Sequence, residues 1–109
     1  MNTAFVTSRT DTGPLLDGAT GKLVEGGIEP QTEQVFRNIK ALLDAAGLTF
    51  DHVVKSTVFM TDLKEFAAMN GVYQTHVTQP FPARSTVQVA GLPMGAKVEI
   101  ETIAWRRAK

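Results

Sequence analysis

FPARSTVQV, residues 81–89, passes from a proline-punctuated turn into a strand. Pro82 suits the turn because its ring fixes φ and removes a backbone donor. Beyond it the side chains alternate, with Val87 and Val89 on one face and Arg84, Thr86 and Gln88 on the other. A guanidinium at the mouth of a strand that enters a core demands a partner, because arginine stays charged and is rarely buried unpaired. That partner is either a carboxylate of the protein or one that arrives from solution.

Upstream, TDLKEFAAMNGVYQTHV (61–77) reads as a helix. Asp62 is a suitable N-cap, and Glu65 three residues later completes an aspartate version of the capping box. Leu63, Phe66, Met69, Tyr73 and Val77 form its apolar stripe, while Gly71 weakens its middle by about 1 kcal/mol relative to alanine. VVKSTVFM (53–60) is a strand whose Val54, Ser56, Val58 and Met60 share one face. GGIEPQTEQVFRNIKALLDAAG (26–47) is a second helix. Pro30 sits in its first turn, Val35, Ile39, Leu42 and Leu43 form one stripe, and Gly47 is the expected stop. TAFVTS (3–8) reads as a short strand, and DTGPLLDGATGK (11–22) as loop.

Downstream, RSTVQVAG (84–91) and AKVEIETIAW (96–105) flank LPMG (92–95), so an antiparallel hairpin is the expected pairing. Strand, helix, strand, helix, strand, strand is an α+β order, with two helices on one face of a small mixed sheet. The other face carries Phe59, Ile103 and Trp105 among charged residues, and an apolar face of that kind predicts an oligomer.

Composition narrows the function. The 109 residues make one domain, 1–109. Eleven Lys and Arg balance eleven Asp and Glu, so no general field draws in nucleic acid. The absence of cysteine excludes disulfides and thiolate chemistry. No apolar run approaches membrane-spanning length and no secretory leader is evident, so a soluble cytoplasmic protein is expected, with no membrane partner. His52 and His76 have no partner at ligand spacing, so no metal is expected.

One constellation carries chemistry. The expected hairpin sets Glu99 and Glu101 beside Arg84 on the same face. Two readings follow from this. A guanidinium fork can grip a planar carboxylate while a half-buried glutamate handles a water proton. Alternatively, the three residues form a cross-strand ion pair of about 0.2–1 kcal/mol. Asn70, beside Gly71 within a helix, is a further candidate for the site.

TGKLVEGGIEPQTEQVFRNIKALLDAAG (20–47), VVKSTVFMTDLKEFAAMNGVY (53–73), PFPARSTVQVAGLP (80–93) and VEIETIA (98–104) together resemble the RidA/YjgF family of reactive-intermediate deaminases. The resemblance covers about residues 17 to 107, and PFPARS and EIE are its most specific blocks. It implies a chorismate-mutase-like α+β homotrimer with sites in clefts between subunits. It also implies cofactor-free hydrolysis of 2-enamine and 2-imine acids, such as 2-aminoacrylate, to 2-keto acids and ammonia. That is the activity of a 2-iminobutanoate/2-iminopropanoate deaminase, a role in metabolite damage control. By the same resemblance Arg84 holds the substrate carboxylate, Glu99 positions the attacking water, and Thr86 lines the pocket. The N-terminal segment is shortened and divergent relative to the family, and Thr12-Gly13 stands where a Ser-Gly pair is expected, which makes Gly13 a substrate-binding candidate. Two other classes stay open: a non-catalytic trimer that binds small carboxylates, and an RNA-cleaving or translation-inhibiting activity. Zero net charge and the lack of an aromatic platform weigh against the last.

Overall fold

The computed structural model describes residues 2–7, 9–10, 13–14, 25–79 and 81–106. In chain order the elements are β1 (Asn2–Thr7), β2 (Arg9–Thr10), β3 (Gly13–Pro14), α1 (Ile28–Ala45), β4 (Val53–Met60), α2 (Phe66–His76), β5 (Ala83–Gln88) and β6 (Val98–Arg106). Four strands form one sheet in the order β1-β6-β4-β5, and β2 pairs with β3 in a separate two-stranded ladder. β6 runs antiparallel to both β1 and β4, whereas β5 runs parallel to β4. The expected α+β architecture, a small mixed sheet with two helices, is therefore present.

The helices cover one face. Val35, Phe36, Ile39 and Leu43 of α1 and Met69 and Tyr73 of α2 join Val58, Met60, Val98, Ile100 and Ala104 of the sheet in one buried core. Burying each of the larger aliphatic side chains favours the folded state by roughly 1.5–3 kcal/mol. α1 stops where its sequence says it should. Gly47 takes φ 72°, Leu48 N donates to Leu43 O at 2.8 Å, and Gly47 N donates to Asp44 O at 3.0 Å. This is the Schellman arrangement, which satisfies the last carbonyls of a helix. Gln31, buried in α1, accepts from Lys97 N through Oε1 at 2.9 Å and so pins the approach to β6.

The hairpin expected from residues 84–105 does not form, because β4 lies between β5 and β6. A strand, one helix and a second strand make parallel neighbours, so β4–α2–β5 is the local unit. The connection from β5 to β6 then crosses the end of β4. Val89 N donates to Met60 O at 2.8 Å on one side, and Thr61 N donates to Lys97 O at 3.2 Å on the other. Strands are spaced about 4.8 Å apart, so a short connection spans one intervening strand easily.

Three smaller departures have local causes. A register shift between Val53 and Lys55 turns Val53 toward the core and leaves Val54 45% exposed, so Val54 does not share the face of Ser56, Val58 and Met60. A bulge inserts one residue and reverses the alternation on its far side. Asp62 caps as expected, accepting from Lys64 N through Oδ1 at 2.9 Å, but the first turn, Leu63–Glu65, is a 3-10 turn. Glu65 is 3.5 Å from Lys97 Nζ instead of closing a capping box. Finally, Phe59, Ile103 and Trp105 on the far face are half-buried within one chain. Cross-strand neighbours shelter one another there, and the more open apolar side chain is Val87 at 40%.

Candidate functional site

β5 is an edge strand, and its sequence gives Arg84 the same facing as Ser56 of β4. Ser56 is buried under the helices, so Arg84 reaches toward α2. Its Nη1 donates to Asn70 Oδ1 at 2.6 Å. Its Cζ lies 4.7 Å from the ring centroid of Tyr73 and 5.3 Å from that of Phe66. Phe66, Asn70 and Tyr73 are spaced i, i+4 and i+7, which aligns them on one face of α2. The turn that leads into the helix is tied to β5 by a further bond, Leu63 N to Gln88 Oε1 at 2.9 Å. Tyr73 is itself fixed by an edge-on contact with Phe36, ring centroids 5.4 Å apart.

The Arg84 guanidinium borders an open cavity of about 790 Å³, whose walls include Gln74, Val77, Phe81 and Pro82. Two buried hydroxyls have no hydrogen-bond partner among the described residues, Tyr73 Oη and Thr86 Oγ1. Thr86 pairs with Val58 across the ladder and therefore shares the facing of Arg84. Among the described residues no carboxylate lies within 4 Å of the guanidinium.

The two glutamates expected beside Arg84 are elsewhere. Glu99 pairs with Phe59 and Glu101 with Thr57, on the face turned away from the helices. The ion pair with Arg84 is thus overturned, since β4 separates the strands and the side chains leave the sheet in opposite directions. Glu99 is nonetheless 6% exposed. Gly13 lies in β3, opposite Thr10. The histidines have local partners. His52 Nδ1 accepts from Thr49 N at 3.0 Å in the turn before β4. His76 stacks on Phe36 at 4.3 Å and sits 3.1 Å from Glu33 Oε2. Phe66 and Tyr73 read from sequence as core stripe alone. Their second role could have been found from the strand–helix–strand unit, which brings one face of α2 over the start of β5.

Comparison with known proteins agrees with this architecture. Residues 11–106 match the family model described as Endoribonuclease L-PSP. The chain belongs to this family, which includes the RidA/YjgF proteins. It is 53% identical over 89 residues to protein DfrA of Myxococcus xanthus, covering 82% of this chain and 68% of that protein. It is 47% identical over 89 residues to the 2-iminobutanoate/2-iminopropanoate deaminase of Capra hircus, covering 82% of this chain and 65% of the goat protein. The crystal structure of RidA from an Antarctic Psychrobacter superposes with a TM-score of 0.83 at 42% identity, over 97% of this chain and 82% of that one. No helix among the described residues is long and apolar enough to cross a membrane.

Proposed function

We propose that the protein is a deaminase that hydrolyses 2-imino acids and their 2-enamine tautomers, such as 2-aminoacrylate, to 2-keto acids and ammonia. The observation that carries this reading is Arg84, oriented by α2 and facing an open cavity with no carboxylate within 4 Å among the described residues. A fork held in this way is suited to a planar carboxylate from solution. Relatives named as iminobutanoate/iminopropanoate deaminases, at 40–47% identity, support the same class of substrate.

In this mechanism Arg84 grips the carboxylate and fixes the adjacent C=N carbon. A water molecule adds to that carbon, forming a C–O bond as the C=N π pair moves to nitrogen, which takes up a proton. That proton is the one lost by the attacking water, which Glu99 accepts and passes to the nitrogen, and the hydroxyl proton follows it when the C–N bond breaks. The resulting carbinolamine then expels ammonia as its hydroxyl becomes the keto group. The imine carbon is already electrophilic, so positioning and proton transfer are sufficient assistance. Thr86, which shares the facing of Arg84 on β5, offers backbone groups to the bound acid, and Gly13 is a further substrate contact. Arg84 and Glu99 leave opposite faces of one sheet, so a site that uses both draws them from different chains. A homotrimer with clefts between subunits is therefore part of the proposal.

Release of ammonia and keto acid from enzymatically generated 2-aminoacrylate tests the reading. Accelerated release, lost in Arg84→Ala, is the expected result. Keto-acid binding without acceleration would instead indicate a non-catalytic carboxylate-binding module. RNA cleavage assayed in parallel addresses the description that the family model carries.

A further inference from the structure

We infer that α2 is a charge-preserving cradle, in which Phe66, Asn70 and Tyr73 position Arg84 for the acid without neutralising it; the inference rests on the deaminase reading above. All three contacts are to neutral groups: an amide oxygen at 2.6 Å and two aromatic rings at 4.7 and 5.3 Å. Each attracts a cation, the rings through the negative charge of their faces. None carries a formal charge, so the guanidinium keeps its full positive charge toward the cavity. An aspartate at position 70 would hold the arginine more strongly, and would also occupy the charge that the substrate needs.

The contact with Asn70 also selects an edge. With Nη1 donating to Asn70, the Nε–H and an Nη2–H remain as a parallel pair of donors. A carboxylate docking side-on through Nε and Nη2 leaves the bond to Asn70 intact. The two rings, their centroids within 5.3 Å of Cζ, together with the Asn70 bond restrict the guanidinium before the acid arrives, so less side-chain freedom is lost on binding. Tyr73 is well placed for this. It is 5% exposed, braced by Phe36, and held within the core, so it offers a rigid surface to an otherwise flexible side chain. Asn70, a substrate-binding candidate from the sequence, becomes a positioning residue, as do Phe66 and Tyr73.

The test is calorimetric titration with 2-ketobutyrate, with thermal unfolding measured on every variant. Asn70→Asp is expected to fold with unchanged or raised Tm and to bind the keto acid at least about 10-fold more weakly. Tyr73→Leu is expected to weaken binding about 5- to 10-fold, and Tyr73→Phe, which keeps the ring, to recover most of that loss. In imine turnover the cost should fall on KM more than on kcat. If Asn70→Asp folds and binds as tightly as wild type, the cradle is wrong. If Arg84→Ala alone abolishes binding while Asn70→Asp and Tyr73→Leu bind like wild type, the clamp stands and the cradle falls. If wild type fails to bind the keto acid, the deaminase reading falls and takes the cradle with it.

Discussion

Arg84 and Glu99 stand on opposite faces of one sheet, with β4 between their strands. The row containing Arg84 runs through Ser56 to Thr102, and the row containing Glu99 runs through Phe59 to Val87. Within one chain the two side chains therefore face away from each other, and a site that used both would need a second chain. In the proposed mechanism binding and proton transfer fall to different faces and are separable by mutation.

Arg84→Ala should weaken 2-ketobutyrate binding on the order of 100-fold or more, because two charge-assisted hydrogen bonds are lost. Arg84→Lys should recover little of this, since an ammonium has no side-on pair of donors. Calorimetry reads both. Wild-type affinity in Arg84→Ala would remove the clamp from the mechanism.

Glu99→Gln keeps size and hydrogen-bonding reach but cannot accept a proton from water. Turnover should fall by about 10²–10⁴-fold while keto-acid affinity is retained. Glu101→Gln, also on the far face but only half-buried, should be milder. Ammonia release under saturating substrate distinguishes them, and equal losses in the two variants would deny Glu99 its special role.

The proposed trimer should scatter light as three chain masses at micromolar concentration. Val87→Asp puts a charge on a side chain that is 40% exposed within one chain, on the same face as Phe59. It should leave each chain folded and dissociate the assembly, with imine turnover falling in parallel, because a desolvated unpaired charge is costly. A Val87→Asp protein that stays trimeric would mean that the chains meet elsewhere.

Two glycines should respond oppositely to alanine. Gly71 lies in α2 with nothing within 4 Å of an added Cβ, so Gly71→Ala should stabilise by about 0.5–1 kcal/mol. Gly47 holds φ 72° at the end of α1, so Gly47→Ala should destabilise by roughly 1 kcal/mol or more. Denaturant midpoints at constant slope check both signs.

What the sequence determined by itself is local. The α1 stripe, the Gly47 stop, the Asp62 cap and the alternation of β6 all depend on residues within a turn or a ladder row of one another, and each is present. The family blocks, too, are strings of neighbouring residues, so the family was legible. Strand order was not. A hairpin and a crossover over β4 leave the same alternating pattern in residues 83–106, and it is the packing of α2, the connection from β4 to β5, over the sheet that makes those two strands parallel neighbours. Facing followed from that order. Once β4 separates β5 from β6, Glu99 and Arg84 part company, and the guanidinium meets Phe66, Asn70 and Tyr73 instead. Those residues are remote from Arg84 in sequence, and their role depends on where one helix lies over one strand, which no local pattern encodes.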